Sequence, residues 1–494
     1  MQVYPDKEEF CRLADTYTVL PVWAELSTDL ETPVSLYYKV VGDKPGFILE
    51  SAQTGKNFGR YSFIGTKPLA GFTAYRDYAE TILRDGSTTT QTGKPHLLFK
   101  EFLAQFFMPK ITGLPPFAGG TVGYAAYETA AAWERICGLD IPDGLPLMEQ
   151  IVCQYILAMD HLTHTTQLIN LVHLCPGSQT SDAYDRAVHE LSELAAALKK
   201  PVDLPRNESE QTTMYISLNF GLMDKAESKQ RYISMVKQAQ EYIAAGDIYQ
   251  VVLSRPFRYR LAGNPFALYR KLRRENPSPY MFYINFGKRQ LVGASPERLV
   301  KLEDGRVLTC PIAGTRRRGA SPAEDEQLAA ELLADAKERA EHAMLVDLGR
   351  NDIGRISQPG TVCIDRLMEV EKYSHVMHIV SEVSGRLDPK FSAIDVLTAC
   401  FPAGTVSGAP KVRAMEIIHE LEADSRGPYA GAVGYFDFRG NMDTCITIRT
   451  LVIEGQQVTV RAGAGIVADS VPEMEFKEIL HKAGVLMELF KEAK

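Results

Sequence analysis

Short runs rich in apolar and β-branched residues recur along the first part of the chain, and glycine or proline bounds them. They occupy residues 47–51, 61–65 and 151–159, and they predict strands. A helical stretch at 183–198 is followed by a polar, irregular segment that contains two prolines. We interpret that segment as a connection between two parts. The predicted organisation is an N-terminal part at 1–200, a connecting segment at 201–226 and a C-terminal part at 227–494.

The C-terminal part begins with a helical pattern. The apolar residues that recur there with the helical period are Tyr232, Met235, Val236, Ala239 and Ile243. A strand is predicted at 248–254, and Asn264 and Pro265 have the residue types of a helix cap and a first helical position. Residues 280–286 and 290–294 then flank a short turn, as in a β-hairpin.

Strands therefore come in hairpin runs, and the helices lie between those runs rather than after every strand. This order favours an α+β fold with large antiparallel β-sheets over a doubly wound parallel sheet. The 494 residues are enough for two large domains with substantial cores.

The composition is that of an ordinary globular protein, with 45% hydrophobic and 23% charged residues. The net charge of −8 argues against non-specific binding of nucleic acid. Residues 1–9 lack the apolar core of a signal peptide, and no run approaches the length of a membrane span. The eight cysteines are scattered without the C-x-x-C spacing of zinc or redox sites. We expect a cytoplasmic protein with free thiols.

Two acidic pairs stand out in segments that are predicted to be helical. Glu338 and Glu341 form one pair, and Glu475 and Glu478 form the other. Carboxylates three residues apart share one face of a helix. Two such faces brought together make an oxygen-rich site for a hard cation such as Mg²⁺. The spacing is also common on solvated helix faces, so the pairs alone do not decide between these interpretations.

Two other motifs look functional but fail on physical grounds. Residues 463–468 match G-x-G-x-x-A, yet β-branched residues continue past the glycines, where a dinucleotide site needs a helix to open. Residues 175–179 are similar to the nucleophile turn of glutamine amidotransferases. Pro176 has no N–H to offer an oxyanion there, so we expect that the chain does not hydrolyse glutamine itself.

Many separate motifs nevertheless occur in one order that is known from a single family. They lie at residues 246–255, 276–282, 293–298, 311–318, 346–352, 373–378, 401–411, 428–435 and 461–467. In these motifs the chain resembles component I of the anthranilate synthases, within the chorismate-utilising enzymes. The resemblance implies a two-domain α+β fold with large antiparallel sheets, an active site between them, and an Mg²⁺-dependent lyase that makes anthranilate and pyruvate from chorismate.

The resemblance also assigns residues to the chemistry. Glu297 would be the general acid for the leaving hydroxyl, and His378 would serve the later loss of pyruvate. Glu341 and Glu478 would bind Mg²⁺ directly, with Glu338 and Glu475 nearby. The residues that would bind the substrate are Gly314, Thr315, Thr405, Tyr429, Arg449, Gly463, Ala464 and Gly465, with Arg449 on the enolpyruvyl carboxylate.

Two positions distinguish the relatives within this family. Enzymes of the family that use water have a lysine where this chain has Gln250, and an amide cannot act as the base, so ammonia is the expected nucleophile. The 4-amino-4-deoxychorismate synthases usually have a reactive lysine where this chain has Ala313. Both differences favour anthranilate as the product. Two alternatives remain, namely a 4-amino-4-deoxychorismate synthase and a non-catalytic homologue that binds an amino acid.

The resemblance further implies a partner and an inhibitor. Ammonia would come from a separate glutamine amidotransferase subunit, commonly in a heterotetramer of two copies of each chain. Tryptophan would inhibit by feedback from a pocket that includes Ser51, Pro279, Tyr280 and Met281. Ordinary strand and turn packing is the alternative interpretation of these four residues.

Overall fold

A computed structural model describes residues 1–51, 59–174, 177, 179–202, 213–215, 225–373 and 376–487, with the backbone alone at 213–215 and 225–227. Within these residues the helices are α1 (Lys7–Ala14), α2 (Pro33–Val40), α3 (Pro95–Ala104), α4 (Thr180–Leu198), α5 (Lys225–Ala244), α6 (Pro265–Glu275), α7 (Pro322–Ala334), α8 (Ala336–Gly354), α9 (Ala393–Cys400), α10 (Lys411–Leu421) and α11 (Pro472–Met487). Short 3₁₀ helices cover Tyr127–Ala132 and Gly404–Val406.

The strands of the described residues follow the same chain order. They are β1 (Val19–Ser27), β2 (Gly46–Glu50), β3 (Tyr61–Ala74), β4 (Tyr78–Leu83), β5 (Thr88–Thr92), β6 (Gly120–Ala125), β7 (Met148–Asp160), β8 (Thr165–His173), β9 (Thr213–Tyr215), β10 (Gln250–Ala262), β11 (Tyr280–Asn285), β12 (Arg289–Ser295), β13 (Arg298–Glu303), β14 (Arg306–Thr309), β15 (Ile312–Arg317), β16 (Cys363–Lys372), β17 (Val376–Arg386), β18 (Gly408–Ala409), β19 (Ala432–Asp437), β20 (Met442–Ile446), β21 (Thr450–Glu454) and β22 (Gln457–Ile466).

These strands form one hydrogen-bonded network in which the pairs are antiparallel, and the helices cover it. The α+β fold with a large antiparallel sheet is therefore confirmed. Strands of the two predicted parts pair directly. Glu50 of β2 lies opposite Met281 of β11, and β6 pairs with β19. The predicted connecting segment lies mostly outside the described residues, so the boundaries at 200 and 227 stay a prediction.

The two parts also share one hydrophobic core. The ring of Phe117 lies 4.6 Å from that of Tyr435, and Phe99 contacts Phe436 edge-on at 5.1 Å. Phe99 and Phe117 are fully buried, and each such side chain contributes about 1.5–3 kcal/mol by leaving water. Because aromatic rings from both parts interlock, the first part supports the sheet on which the second part builds its site.

Two strands run further than their apolar patterns predict. β3 continues past Gly65 to Ala74, with an irregularity near Pro68 where the register against β7 shifts. That shift interrupts the alternation on which a strand prediction depends. β10 continues past Ser254 to Ala262, and in this second half the exposed Arg258 and Arg260 alternate with the buried Tyr259 and Leu261.

No helix of the described residues is long and apolar enough to cross a membrane. The cysteines that the structure describes are free thiols. The motif at 175–179 lies largely outside the described residues, so its comparison with an amidotransferase turn rests on the sequence alone.

Candidate active site

The carboxyl group of Glu297 is the most perturbed acid of the candidate site. Glu297 lies between β12 and β13, where the chain passes from one hairpin to the next. Its Oε1 accepts a hydrogen bond from the Thr405 hydroxyl at 2.9 Å. Burial raises the pKa of Glu297 to about 7, although Thr405, Arg449 and Lys482 each lower it. A recess of about 440 Å³ adjoins this residue. A carboxyl group with this pKa can donate a proton near neutral pH.

Arg449 supplies a cation beside that acid. It follows β20 in a left-handed conformation with φ of +50°, which is uncommon for a residue with a side chain. The pKa of Arg449 is lowered by burial and raised by Glu297, so the two groups interact electrostatically. Among the described residues, its guanidinium makes no ion pair and no side-chain hydrogen bond. A partly buried arginine without a protein partner is suited to a carboxylate of a ligand.

His378 lies on β17 opposite Thr315 of β15. Its Nδ1 is 3.0 Å from the carbonyl oxygen of Gly314 and 3.1 Å from the Thr315 hydroxyl. A carbonyl only accepts hydrogen bonds, so this geometry assigns the proton to Nδ1 and leaves Nε2 bare. Burial lowers the pKa of His378, with Arg449 adding to the effect. The imidazole is therefore neutral at pH 7 and able to accept a proton at Nε2.

A register shift in β15 places Gly314 beside the acidic face of α8. The shift lies between Ala313 and Thr315, and Gly314 has φ of +69°. A Cβ atom at Gly314 would come within 3.1 Å of Glu338 Oε2. The glycine therefore permits a close approach between the strand and the helix that a side chain would oppose.

The two acidic pairs lie on helices, as the sequence predicts. Asp335 caps α8 by accepting the N–H groups of Lys337 and Glu338, which fixes the first turn and places Glu341 one turn further along. Glu338 pairs with Arg316 at 3.2 Å. On α11, Glu478 pairs with Lys482 at 2.7 Å.

A row of small residues on β22 lies against β10 and close to side chains of other elements. Gly463, Ala464 and Gly465 pair with β10, which begins at Gln250. The Gln250 amide lies 3.4 Å from Glu341 Oε1, and a Cβ atom at Gly465 would meet it at 2.6 Å. A Cβ atom placed on Gly463 would lie 2.8 Å from the Tyr429 hydroxyl. The glycines thus allow side chains from several elements to converge on one stretch of backbone.

The carboxylates fit a hard cation by their chemistry but do not form a preassembled centre. Within the described residues, no three acidic, histidine or cysteine side chains stand close enough to hold a metal ion. The pKa of Glu475 is nevertheless raised, first by burial and then by the charge of Glu478. Neighbouring carboxylates that repel each other indicate a place where a cation would be stabilised.

Lys482 is a residue that the sequence analysis missed. Its ammonium group donates to the Gly463 carbonyl at 3.1 Å and to Glu478 at 2.7 Å, and its charge reaches Glu297. The signal in the sequence is its position four residues after Glu478. That spacing also describes ordinary pairs on exposed helices, so it does not distinguish a site residue.

A second recess of about 680 Å³ lies at the boundary between the two parts. Ser51, Pro279, Tyr280 and Met281 all line it, so the structure brings the four predicted inhibitor residues together. The Tyr280 hydroxyl donates to Asp443 at 2.9 Å and accepts from Arg298 at 2.6 Å. Aromatic and apolar side chains from both parts provide room for a flat ligand.

Comparison with known proteins defines the class. Residues 45–488 match the family described as chorismate binding enzyme, and the chain belongs to this family of enzymes that act on chorismate. It is 43% identical over 498 residues to the anthranilate synthase component 1 of Acetivibrio thermocellus, with 99% of each chain covered.

Two solved structures are similar over most of their length. Anthranilate synthase component I of Streptococcus pneumoniae is 34% identical with a TM-score of 0.75, and the match covers 93% of this chain and 98% of that one. The menaquinone-specific isochorismate synthase of Escherichia coli, at 20% identity and a TM-score of 0.70, covers 98% of this chain and 99% of its own. It shares the fold.

Proposed function

We propose that this chain is the large component of an anthranilate synthase, which converts chorismate and ammonia to anthranilate and pyruvate. The observation that carries the proposal is the convergence of a protonatable acid, a neutral histidine and an arginine that has no ion pair among the described residues. The similarity to anthranilate synthase components along almost the whole chain supports the same product.

In the first step ammonia adds to the ring and the ring hydroxyl leaves. Glu297 gives its proton to that hydroxyl, so the leaving group departs as water. Its pKa of about 7 keeps the carboxyl protonated in a useful fraction of molecules at neutral pH. Thr405 orients the carboxyl through the hydrogen bond to Oε1.

In the second step the aminated ring loses pyruvate and becomes aromatic. Aromatisation requires removal of a ring proton, and His378 accepts it at Nε2. The Gly314 carbonyl holds the opposite nitrogen protonated and thereby fixes the tautomer. Because the imidazole is neutral, it can act as a base without first losing a proton.

The anionic groups of chorismate account for the rest of the site. Arg449 binds the enolpyruvyl carboxylate, assisted by Tyr429 and by backbone N–H groups of 463–465. Glu341 and Glu478 would hold Mg²⁺, with Glu338 and Glu475 nearby. When bound, Mg²⁺ would supply fixed positive charge for the ring carboxylate.

Gln250 supports ammonia rather than water as the nucleophile. A lysine in this position would provide the base that water needs, whereas the Gln250 amide has no basic nitrogen. Its Nε2 donates weakly to Glu341 at 3.4 Å, and this contact with a proposed metal ligand supports a role for Gln250 in the reaction. The alternative product, 4-amino-4-deoxychorismate, is disfavoured because Ala313 has no nucleophile. The free thiols of the described residues support a reducing location such as the cytoplasm.

The purified chain with chorismate, Mg²⁺ and ammonium is expected to form anthranilate and pyruvate, because the chain provides every side chain of the proposed reaction. The two products should appear in equal amounts, since each chorismate yields one of each. Glutamine is not expected to replace ammonium, since the ammonia would come from a separate amidotransferase subunit. Anthranilate fluorescence and a coupled pyruvate assay measure both products. Formation of 4-amino-4-deoxychorismate would support the alternative function, and glutamine-dependent turnover by this chain alone would contradict the need for a partner.

Feedback inhibition by tryptophan forms part of the proposal, and the recess lined by Ser51 and Tyr280 is its site. Ser51→Phe is expected to fill this recess and raise the tryptophan concentration for half-inhibition about tenfold or more, which is the effect of losing about 1.4 kcal/mol of binding. Turnover of chorismate without tryptophan should stay near that of the parent.

The matched control is Ser87→Phe, which changes an exposed serine on a distant turn of the same part. It should leave the tryptophan titration unchanged. Equal inhibition of Ser51→Phe and the parent would place the inhibitor site elsewhere.

A further inference from the structure

A buried guanidinium joins two segments that contribute to the candidate active site. Arg426 is only 5% exposed. Its Nη1 donates to the Val406 carbonyl at 2.7 Å, and its Nη2 donates to the Val252 carbonyl at 2.6 Å. Val406 lies in the loop between α9 and α10, and Val252 lies on β10. One planar side chain therefore holds the loop against the strand.

The charge of Arg426 is compensated within the protein. Both Glu422 oxygens accept from it, at 2.7 and 3.0 Å. Glu422 also accepts from Arg461 at 2.7 Å. Burial opposes the negative charge of Glu422, but the two arginines hold its pKa below the ordinary value. The ion pair thus satisfies the guanidinium and leaves its two outer N–H groups directed at the carbonyls.

The backbone of Arg426 is fixed as well. Glu128, from the 3₁₀ helix of the first part, accepts the N–H of Arg426 at 2.5 Å and the N–H of Gly427 at 3.0 Å. The guanidinium also lies over the Tyr127 ring at 4.5 Å. Residues of the first part therefore hold the peptide and the side chain of Arg426 in one orientation.

The loop that Arg426 holds carries the residue that contacts the acid. Thr405 directly precedes Val406, and its hydroxyl donates to Glu297 at 2.9 Å. A displacement of the Val406 carbonyl would move Thr405 away from the carboxyl. Resting on the proposed function, we infer that Arg426 is a positioning residue of the reaction, which keeps Thr405 hydrogen-bonded to Glu297 by fixing the loop between α9 and α10.

Arg426→Lys tests this role because lysine keeps the charge opposite Glu422 but cannot donate in a planar fork to two carbonyls. Thr405 normally lowers the pKa of Glu297. Loss of its hydrogen bond should therefore raise that pKa and move the alkaline limb of kcat/KM upward by roughly half to one pH unit, the equivalent of one hydrogen bond. The kcat value should fall about tenfold to a hundredfold through misplacement of the acid.

The charged and titratable groups that face Glu297 are the same in all variants. They are Arg449, Lys482, and the Arg298, Asp352, Cys310 and Cys400 side chains around the adjoining recess. Thr405→Val should shift the alkaline limb in the same direction as Arg426→Lys. The double variant should shift the alkaline limb no further than Thr405→Val alone, because the two substitutions remove the same hydrogen bond between Thr405 and Glu297. Thr405→Ser keeps the hydroxyl group, so its alkaline limb should lie at the same pH as that of the parent.

Arg439→Lys provides a closely matched control. The Arg439 side chain is 8% exposed, pairs with Asp437 at 2.8 Å, and donates to the carbonyls of Pro115 and Pro116 at 2.8 and 2.7 Å. This substitution should lower thermal stability to a similar degree without moving the pH profile. If Arg426→Lys loses stability and activity but keeps the parent pH limb, its role is structural only and the inference is wrong.

The inference and the proposed function can fail separately. Absence of anthranilate from the parent chain with ammonium would contradict the function. The positioning role can then be tested without substrate by measuring the pKa of Glu297 in an isotope-edited infrared titration of the glutamate carboxyl groups. The carboxyl signal that is missing from Glu297→Gln identifies Glu297. An upward shift of the Glu297 pKa in Arg426→Lys and in Thr405→Val, but not in Arg439→Lys, would support the inference. Its absence would overturn it.

Discussion

Replacing Glu297 with glutamine is expected to reduce kcat for chorismate by about 10²–10⁴, the usual contribution of a positioned general acid. The amide keeps the size of the side chain and can still accept from Thr405, but it has no acidic proton for the leaving hydroxyl. Steady-state kinetics with ammonium measures the loss. Glu303→Gln, on the adjoining strand and partly exposed, should stay near the parent rate. A similar rate for the two variants would remove Glu297 from the reaction.

The pH dependence gives an independent check on the same residue. Since the protonated carboxyl donates, the rate per free ammonia molecule should decline as the pH rises through about 7, the pKa of Glu297. Glu297→Gln should lose this limb while keeping whatever residual rate it has. The profile is measured as kcat/KM between pH 5 and 9 in buffers of constant ionic strength.

The stability of Glu297→Gln should move in the opposite direction from its activity. The folded chain raises the pKa of this carboxyl from 4.5 to about 7. Folding therefore favours the protonated form, and stability is lost as the pH rises from about 4.5 through 7. Glutamine has no such loss, so the variant should gain on the order of 1–3 kcal/mol over the parent at pH 8 but not at pH 4. Thermal unfolding at the two pH values measures the difference.

Glu341→Gln and Glu478→Gln are each expected to abolish turnover while the fold remains. An amide supplies no negative charge to a divalent cation. Mutating a residue that only supports a metal ligand typically lowers metal affinity about 10–100-fold, so loss of a direct ligand should have at least this effect. Each variant should bind Mg²⁺ at least about 100-fold more weakly than the parent. Isothermal titration calorimetry with Mg²⁺ in the absence of chorismate measures this affinity independently of catalytic activity.

The control for the metal variants is Glu473→Gln, which removes an exposed carboxylate from the first turn of α11. It should bind Mg²⁺ and turn over chorismate like the parent. If Glu341→Gln and Glu478→Gln stay near parent activity at limiting Mg²⁺, neither residue belongs to the metal site. Unfolding of both variants would be recognised by circular dichroism before any kinetic comparison.

The sequence predicts the elements more reliably than their ends. The helix after Asn264 begins where its cap indicates, because the Asn264 side chain accepts the N–H of Phe266 within three residues of chain. The predicted end of β3 is too early because a register shift interrupts its alternation, and that of β10 is too early because Arg255 and Pro256 end its apolar run. Continuation of the strand through Gly463 and Gly465 agrees with the rejection of a dinucleotide motif there.

The individual candidates for the site could be named from the sequence because motif order and residue type are local properties. The residues that contact them in space could not be named in this way. That Arg449 has no ion pair among the described residues depends on every element packed around it. The proton affinity of Glu297 depends likewise on burial and on Thr405, more than a hundred residues away. Lys482 and Arg426 escaped notice because a charged residue on a helix or in a loop has the same local pattern whether it is solvated or buried.

The sequence by itself thus determined the family, the α+β class and the residue types for acid, base and cation, since spacing and residue chemistry are written along the chain. Tertiary structure alone decided that Arg449 lies close enough to Glu297 and His378 for its charge to act on both, and that Gln250 contacts Glu341. It also decided that burial raises the pKa of the acid and lowers that of the histidine. The physical reason is that desolvation and pairing depend on distance in space. Strand pairs between the two parts bring together groups that lie far apart in the chain.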